Sequence, residues 1–252
     1  MRFLSYAVWS LVVLLALGGT QASATITNGD FSSGLTGWST TGVVTTATSY
    51  TYGGAGGGTI LPTAGTQVAE LVNAGGVADT SMDTFLGLKR NTLQKFSDSL
   101  THPGYADYSL TTGSVLKRTL TGASGILSFD WNFWRTDYPP YNDLAFFTIS
   151  GPGISGTQIV LLSDVNGSAE ALATTSGYGP SNGTGWQSYS YALPSTGNYT
   201  IGFGIVNASD TAYPTYLYID NVSLVPEPSA AFTAAALLGT GMLYPLRRRR
   251  RA

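Results

Sequence analysis

The chain has no cysteine, a single histidine (His102), and charge on only one residue in ten. Without cysteine there is no disulfide framework, and no thiolate for a zinc site or for nucleophilic catalysis. The one histidine sits in the turn Thr101-His102-Pro103-Gly104, so a two-histidine metal hydrolase or a histidine-based triad lacks its parts. The glycine-rich run Gly53 to Gly58 is not followed by Gly-Lys-Ser/Thr, which makes it a surface loop rather than a phosphate loop. Basic residues are scarce in the body as well. Residues 25–226 hold six Lys or Arg against thirteen Asp or Glu, a net charge of −7, whereas five arginines crowd the C-terminal end. The whole-chain value of −2 hides this asymmetry. An acidic body of this kind argues against nucleic acid as a partner.

What is present begins at the two ends. Arg2 supplies a positive start, Leu4 to Leu17 an apolar core, and Ala22-Ser23-Ala24 a small-x-small cleavage site. Residues 1–24 therefore read as a signal peptide, which implies the Sec translocon and signal peptidase as partners and an exported mature chain from about Thr25. At the other end, Val225-Pro226-Glu227-Pro228-Ser229 precedes seventeen mostly apolar residues, Ala230 to Leu246. Five arginines follow: Arg247, Arg248, Arg249, Arg250 and Arg251. The length and the basic stop predict one C-terminal transmembrane helix over 230–246, with the arginines as a cytoplasmic topology anchor.

The order of these pieces over 226–252 resembles the PEP-CTERM sorting signal of Gram-negative bacteria, with Pro226, Glu227 and Pro228 as the sorting motif. The resemblance implies an exosortase as partner and transient anchoring in the inner membrane. Delivery to the cell surface or the extracellular space would follow.

Between the signals, residues 25–225 are long enough for one domain with its own core. Period-2 alternation dominates. In Gly125 to Trp134, Leu127, Phe129, Trp131 and Phe133 share one face and Ser128, Asp130 and Asn132 the other. Tyr199, Ile201, Phe203 and Ile205 alternate in the same way, with Gly202 and Gly204 opposite. Further strands are expected over 66–72, 114–121, 143–150, 158–162, 186–193 and 216–225, separated by Gly, Pro and Asn clusters. In the last of these, Leu217 and Ile219 hold one phase and Val222 and Leu224 the other, which predicts a β-bulge at Asp220-Asn221. Residues 83–100 space their apolar positions as one or two short helices. The expected fold is all-β: a jelly-roll-like β-sandwich with a short helical insertion, plus the C-terminal transmembrane helix.

The mature start, Asn28-Gly29-Asp30-Phe31-Ser32-Ser33-Gly34-Leu35-Thr36-Gly37-Trp38, resembles the opening strand of carbohydrate-binding jelly-roll modules. Tyr218-Ile219-Asp220-Asn221-Val222-Ser223-Leu224 is similar to the strand that closes them. The resemblance implies that first and last strands pair, and that a structural calcium ion held by Asp30 and Asp220 joins them. The alternative is that Asp30 caps a turn and Asp220 accepts hydrogen bonds from the bulge backbone. Trp134, Tyr138 and Tyr141 are the candidate glycan-binding residues. Trp134 falls on the polar face of its strand, and the two tyrosines flank Pro139-Pro140 in a loop. A packing role is the plain alternative for all three.

The leading functional expectation is a non-enzymatic, exported surface or matrix protein associated with exopolysaccharide and biofilm. Two rivals stand beside it: a glycan hydrolase or lyase using Asp130 and Asp143, and a structural surface protein with no glycan ligand.

Overall fold

The computed structural model describes residues 26–51, 58–100, 109–167 and 183–225. Residues Ser23–Pro226 form one compact unit. Its elements run β1 (Ser39–Thr41), β2 (Val43–Ala47), β3 (Tyr50–Thr51), β4 (Thr59–Ile60), β5 (Val68–Val72) and β6 (Val77–Ala78). The helices α1 (Asp79–Leu86) and α2 (Thr92–Asp98) follow. Then come β7 (Leu110–Ala123), β8 (Ile126–Trp134), β9 (Leu144–Ser150), β10 (Thr157–Asp164), β11 (Gln187–Ala192), β12 (Gly197–Ala208) and β13 (Tyr216–Val225).

Two antiparallel sheets form the sandwich. The six-stranded sheet has the order β1-β7-β12-β9-β10, with β6 also on β7; the five-stranded sheet has the order β11-β8-β13-β5-β2. The alternation read from sequence decides which residues meet between them. Leu127, Phe129 and Phe133 of β8, with Leu217 and Ile219 of β13, pack against Phe147, Ile149, Ile201, Phe203 and Ile205 of the facing sheet. Phe129, Phe147 and Phe203 lie within 5.5 Å of one another, centroid to centroid. Each ring so buried contributes roughly 1.5–3 kcal/mol.

The helical insertion covers the outside of the six-stranded sheet. Met82, Leu86 and Leu93 seal Leu110, Val115, Leu144, Phe146 and Val206. Gly202 and Gly204 make this possible, because a β-carbon at either would collide with Leu86 and Thr148 or with the Phe146 ring. The turn between the helices is closed by Asp83, which is fully buried. It accepts the backbone N–H of Thr92 at 3.1 Å and of Leu93 at 3.0 Å. Those donors open α2, whose own N-cap, Asn91, makes no side-chain cap bond.

The expected bulge is present: the β13–β8 register slips between Asp220 and Ser223, and Asn221 takes φ 52°. Two expectations are corrected. Residues 28–37 form a hydrogen-bonded turn rather than an opening strand, because Asn28 holds them in that shape. Its amide donates to Gly34 and Thr36 carbonyls, both at 2.9 Å, and its Oδ1 accepts Ser33 N–H at 2.8 Å. The turn meets β13 through one backbone bond, Val222 N–H to Gly29 O at 2.9 Å, and not through strand pairing. The second correction concerns the membrane. Among the described residues no helix is long and apolar enough to cross one, the two helices being eight and seven residues long. The described residues are thus all-β with a helical insertion, and none of their helices spans a membrane. Residues 230–246, where the C-terminal transmembrane helix was expected, lie outside the described residues.

Candidate functional site

The outside of the five-stranded sheet carries a different set of side chains. In β5 the alternation sends Ala69 and Leu71 into the core and leaves Glu70 pointing outward. The strand registers then fix its neighbours. Glu70 stands opposite Thr45 of β2 and Tyr218 of β13, and Tyr218 stands opposite Asn132 of β8. One row across the sheet therefore reads Thr45, Glu70, Tyr218, Asn132. The next row places Tyr216 opposite Trp134.

Aromatic rings wall this row. Trp134 and Tyr218 pack with Ile60 and Val68 in one buried cluster, against which Tyr50, Trp186 and Tyr216 lie half-buried. The Tyr50 and Tyr218 rings are 5.4 Å apart. Trp186 is held by its indole N–H, which donates to the Leu61 carbonyl at 3.1 Å. Gly183 bridges to Trp134, and any β-carbon there would strike the Trp134 ring, so glycine permits the close approach.

The floor of the site is polar. The Tyr218 hydroxyl donates to Glu70 Oε2 at 2.7 Å. Burial pushes the Glu70 carboxyl up to about 7 and raises the Tyr218 hydroxyl well above its ordinary value. Tyr50 is pushed up to about 12, by burial first, while the Thr45 hydroxyl 2.9 Å away pulls the other way and the Glu70 charge adds a little. Asn132 is 2 % exposed, and its Oδ1 has no hydrogen-bond partner among the described residues. A buried acceptor left in this way costs roughly 1–3 kcal/mol unless a ligand or water donates to it. Aromatic walls around a few convergent polar atoms are the makings of a ligand site.

The three glycan candidates from the sequence divide. Trp134 belongs to this outer face. Tyr138 and Tyr141 stand after the end of β8, half-buried and edge-to-face at 5.5 Å, joined by a cis Pro139–Pro140 peptide. Tyr213, partly exposed, completes their cluster at 6.0 Å from Tyr138. Beside them Asp137 is 1 % exposed and pushed up to about 6, mainly by burial.

Asp30 and Asp220 follow the alternative reading. Asp220 Oδ2 accepts Thr63 N–H at 2.6 Å, Ala64 N–H at 2.9 Å and the Thr63 hydroxyl at 3.2 Å, while Oδ1 accepts Asn221 N–H at 2.7 Å. Asp30 accepts the Ser32 N–H at 3.3 Å and the Ser32 hydroxyl at 2.9 Å, and Ser32 Oγ in turn accepts Thr66 N–H at 3.0 Å. The two carboxylates thus pin the 63–66 loop from opposite ends. Calcium takes six to eight oxygen ligands; here Asp220 accepts four hydrogen bonds and Asp30 two, and these bonds join the 63–66 loop to both residues. Among the described residues no group of three or more His, Cys, Asp or Glu could hold a metal.

Asp130 and Asp143 do not face a common space. Asp130 is on the outer face, accepting the Ser188 hydroxyl at 2.7 Å and the Asn221 amide at 3.1 Å. Asp143 is fully buried at the seam between the sheets, where Asn73 donates at 2.8 Å, Ala208 N–H at 3.0 Å and the Thr215 hydroxyl closes the network. Burial pushes it up to about 7, against the pull of those donors. The residues 226–228 and 247–251 and His102 lie outside the described residues.

Glu70, Asn132, Tyr218, Tyr50 and Trp186 were not singled out from the sequence. A signal existed for two of them. The phase of Leu217 and Ile219 places Tyr216 and Tyr218 on the opposite, outer face, and Glu70 is the one charge in an otherwise apolar strand.

No family model and no curated protein matches the chain. Several solved β-structures do. TmCBM61, in complex with β-1,4-galactotriose, matches at 11 % identity over 82 % of this chain and 100 % of its own, with a TM-score of 0.41. The K1 cleaved adhesin domain of Lys-gingipain from Porphyromonas gingivalis W83 matches at 14 % identity, 82 % and 100 % coverage, and a TM-score of 0.40. A family 11 carbohydrate-binding module from Clostridium thermocellum, in complex with a β-1,3-1,4-mixed-linked tetrasaccharide, matches at 9 % identity, 81 % and 95 % coverage, and a TM-score of 0.31. Likenesses at this level assign no ligand to this chain.

Proposed function

We propose that residues 25–225 form an exported, non-enzymatic glycan-binding module that associates with exopolysaccharide. Its sorting by an exosortase is read from Pro226-Glu227-Pro228 and the arginine tail. The observation that carries the binding reading is the outer face of the five-stranded sheet, where Trp134, Trp186, Tyr50 and Tyr218 surround Glu70 and the vacant acceptor of Asn132. Aromatic rings stack on the C–H faces of sugars, and the Asn132 amide oxygen receives a hydroxyl donor. Tyr138, Tyr141 and Tyr213, beyond the end of β8, form a second aromatic cluster.

The reading is tested by retention of the purified domain on a panel of immobilised polysaccharides. Trp186→Ala should abolish retention of whichever polymer is bound, with the melting temperature little changed. If no polymer retains the domain, the structural role without a ligand takes its place. The hydrolase or lyase reading requires reducing ends or unsaturated products that vanish with Asp130→Asn. The sealed position of Asp143 argues against that chemistry, because a general acid or base must reach its substrate.

A further inference from the structure

Asn132 stands opposite Tyr218 on the outer face of the five-stranded sheet and is 2 % exposed. Neither end of its side-chain amide is hydrogen-bonded among the described residues: Oδ1 is buried without a donor, and Nδ2 donates to no acceptor. The donors around it are committed elsewhere. The Tyr218 hydroxyl donates to Glu70 at 2.7 Å and the Trp186 indole N–H to the Leu61 carbonyl at 3.1 Å. The Gln187 amide donates to the Thr184 carbonyl at 3.0 Å, and the Thr184 hydroxyl to the Gly185 carbonyl at 2.9 Å. Gly183 lies beside Oδ1, where a β-carbon would be 3.5 Å from it, and as glycine it brings no side-chain donor. Buried polar side chains are ordinarily paired, so these neighbours leave a whole amide, donor and acceptor together, for a partner from outside the chain.

An open amide selects its ligand narrowly. It presents an acceptor and a donor side by side in one plane. An ammonium only donates and leaves Nδ2 unanswered, whereas a carboxylate only accepts and leaves Oδ1 unanswered. A second amide, set head to tail against the first, answers both ends at once. A vicinal pair of sugar hydroxyls could do the same only by bringing its pyranose ring down onto Asn132, and 2 % exposure leaves no room for that. An acetamido group projects from its ring and reaches further. The walls suit its methyl: Trp134, Tyr218, Ile60 and Val68 form the buried cluster, and Tyr50 and Trp186 pack half-buried against it.

We propose that the glycan recognised at this face is built of N-acetylated amino sugars, one acetamido group of which enters among Trp134, Trp186 and Tyr50 and pairs amide to amide with Asn132. The proposal rests on the glycan reading above and adds the class of sugar to it. Selectivity follows from the state of the empty site. A sugar without the acetamido group leaves the Asn132 amide buried and unanswered, and sites of this kind reject analogues that lack the matching group.

The experiment is titration calorimetry of the domain with three hexamers of the same β-1,4 linkage, built of N-acetylglucosamine, glucosamine and glucose. Sodium chloride at about 500 mM screens the attraction of the amine hexamer to an acidic domain. The N-acetylated hexamer should bind at least tenfold more tightly than each of the other two. Asn132→Leu should bring the three within about twofold of one another, at an unchanged or higher melting temperature because a buried unpaired amide is removed. A tenfold preference that survives Asn132→Leu would overturn Asn132 as the partner of the acetamide. Should that variant fail to fold, saturation-transfer NMR on the unaltered domain decides: the acetyl methyl protons should receive more saturation from the aromatic rings than the pyranose protons do, and the reverse would overturn the proposal. Equal binding of the three hexamers, or tighter binding of glucose or glucosamine, would overturn the N-acetyl class and leave the glycan reading standing. Binding of none of the three would also overturn it, and retention on the polysaccharide panel would then decide the glycan reading separately.

Discussion

On the outside of the six-stranded sheet the alternate positions are Leu110, Val115, Leu144, Phe146 and Val206, and two helices close over them. On the outside of the five-stranded sheet the corresponding positions are Glu70, Asn132, Trp134, Tyr216 and Tyr218. Strand geometry and pleat are the same on both, so the sequence alone makes the difference. The first face is a second core. It is apolar, and its glycines are set by the closeness of Leu86 and Phe146. The second face buries a carboxylate and a vacant amide oxygen beneath aromatic rings, at a cost in stability that packing would not select. The proposed glycan reading gives the vacant amide oxygen its donor.

The two faces should respond oppositely to substitution. Met82→Ala, on the apolar face, should cost roughly 3 kcal/mol in denaturant unfolding, because the side chain is fully buried and leaves a cavity. Its sugar binding should be unaltered at temperatures where the variant is folded. At the end of the other face, Asp220→Ala should cost roughly 1 kcal/mol, since the part-buried donors of Thr63 and Ala64 lose their acceptor. The unaltered domain should show no rise in melting temperature with millimolar calcium; such a rise would show an ion at Asp30 and Asp220 after all.

A pH effect separates the faces as well. Glu70 and Asp143 are both raised by burial to about 7, above the carboxylate range of an unfolded chain. The folded state therefore holds more protons than the unfolded state between roughly pH 4 and 7, and stability falls as pH rises through that window. The melting temperature should be lower at pH 8.5 than at pH 5, and Glu70→Gln should remove part of the slope. No substitution among Met82, Leu86 and Phe146 should alter it. The smallest stability change is expected for Trp186→Ala, about 1 kcal/mol or less for a half-buried ring, yet it should weaken sugar binding at least tenfold.

Much of the sandwich was legible because its long strands alternate cleanly. Leu127, Phe129 and Phe133 announce an inward face, and the phase slip at Asp220-Asn221 announces the bulge. The short strands β1 to β4 and β6 were not, since two to five residues carry too few periods to stand out. The opening motif misled for a local reason. Asn28 spends its side chain on Gly34, Thr36 and Ser33, which folds the segment into a turn that brings Phe31 onto Trp38, 5.2 Å away. The site was harder still. Glu70 and Tyr218 lie 148 residues apart and meet only because β5 and β13 pair in one particular register. The outer placement of Trp134 is readable from its phase within β8 itself, whereas Trp186 joins it through the 183–186 segment, which no local pattern marks.

The central claim is that the aromatic, acidic face of the five-stranded sheet is the ligand surface. It is tested most directly by the indole N–H signals of the domain in a nitrogen–proton NMR titration with an oligosaccharide of the polymer that retains it. Trp134 and Trp186 line that face, whereas the Trp38 indole is tied to the Asn28 carbonyl at 3.1 Å in the opening turn. The Trp134 and Trp186 signals should shift with a common saturating curve while Trp38 stays fixed. Saturable binding that moves Trp38 and leaves Trp134 and Trp186 in place would contradict the assignment.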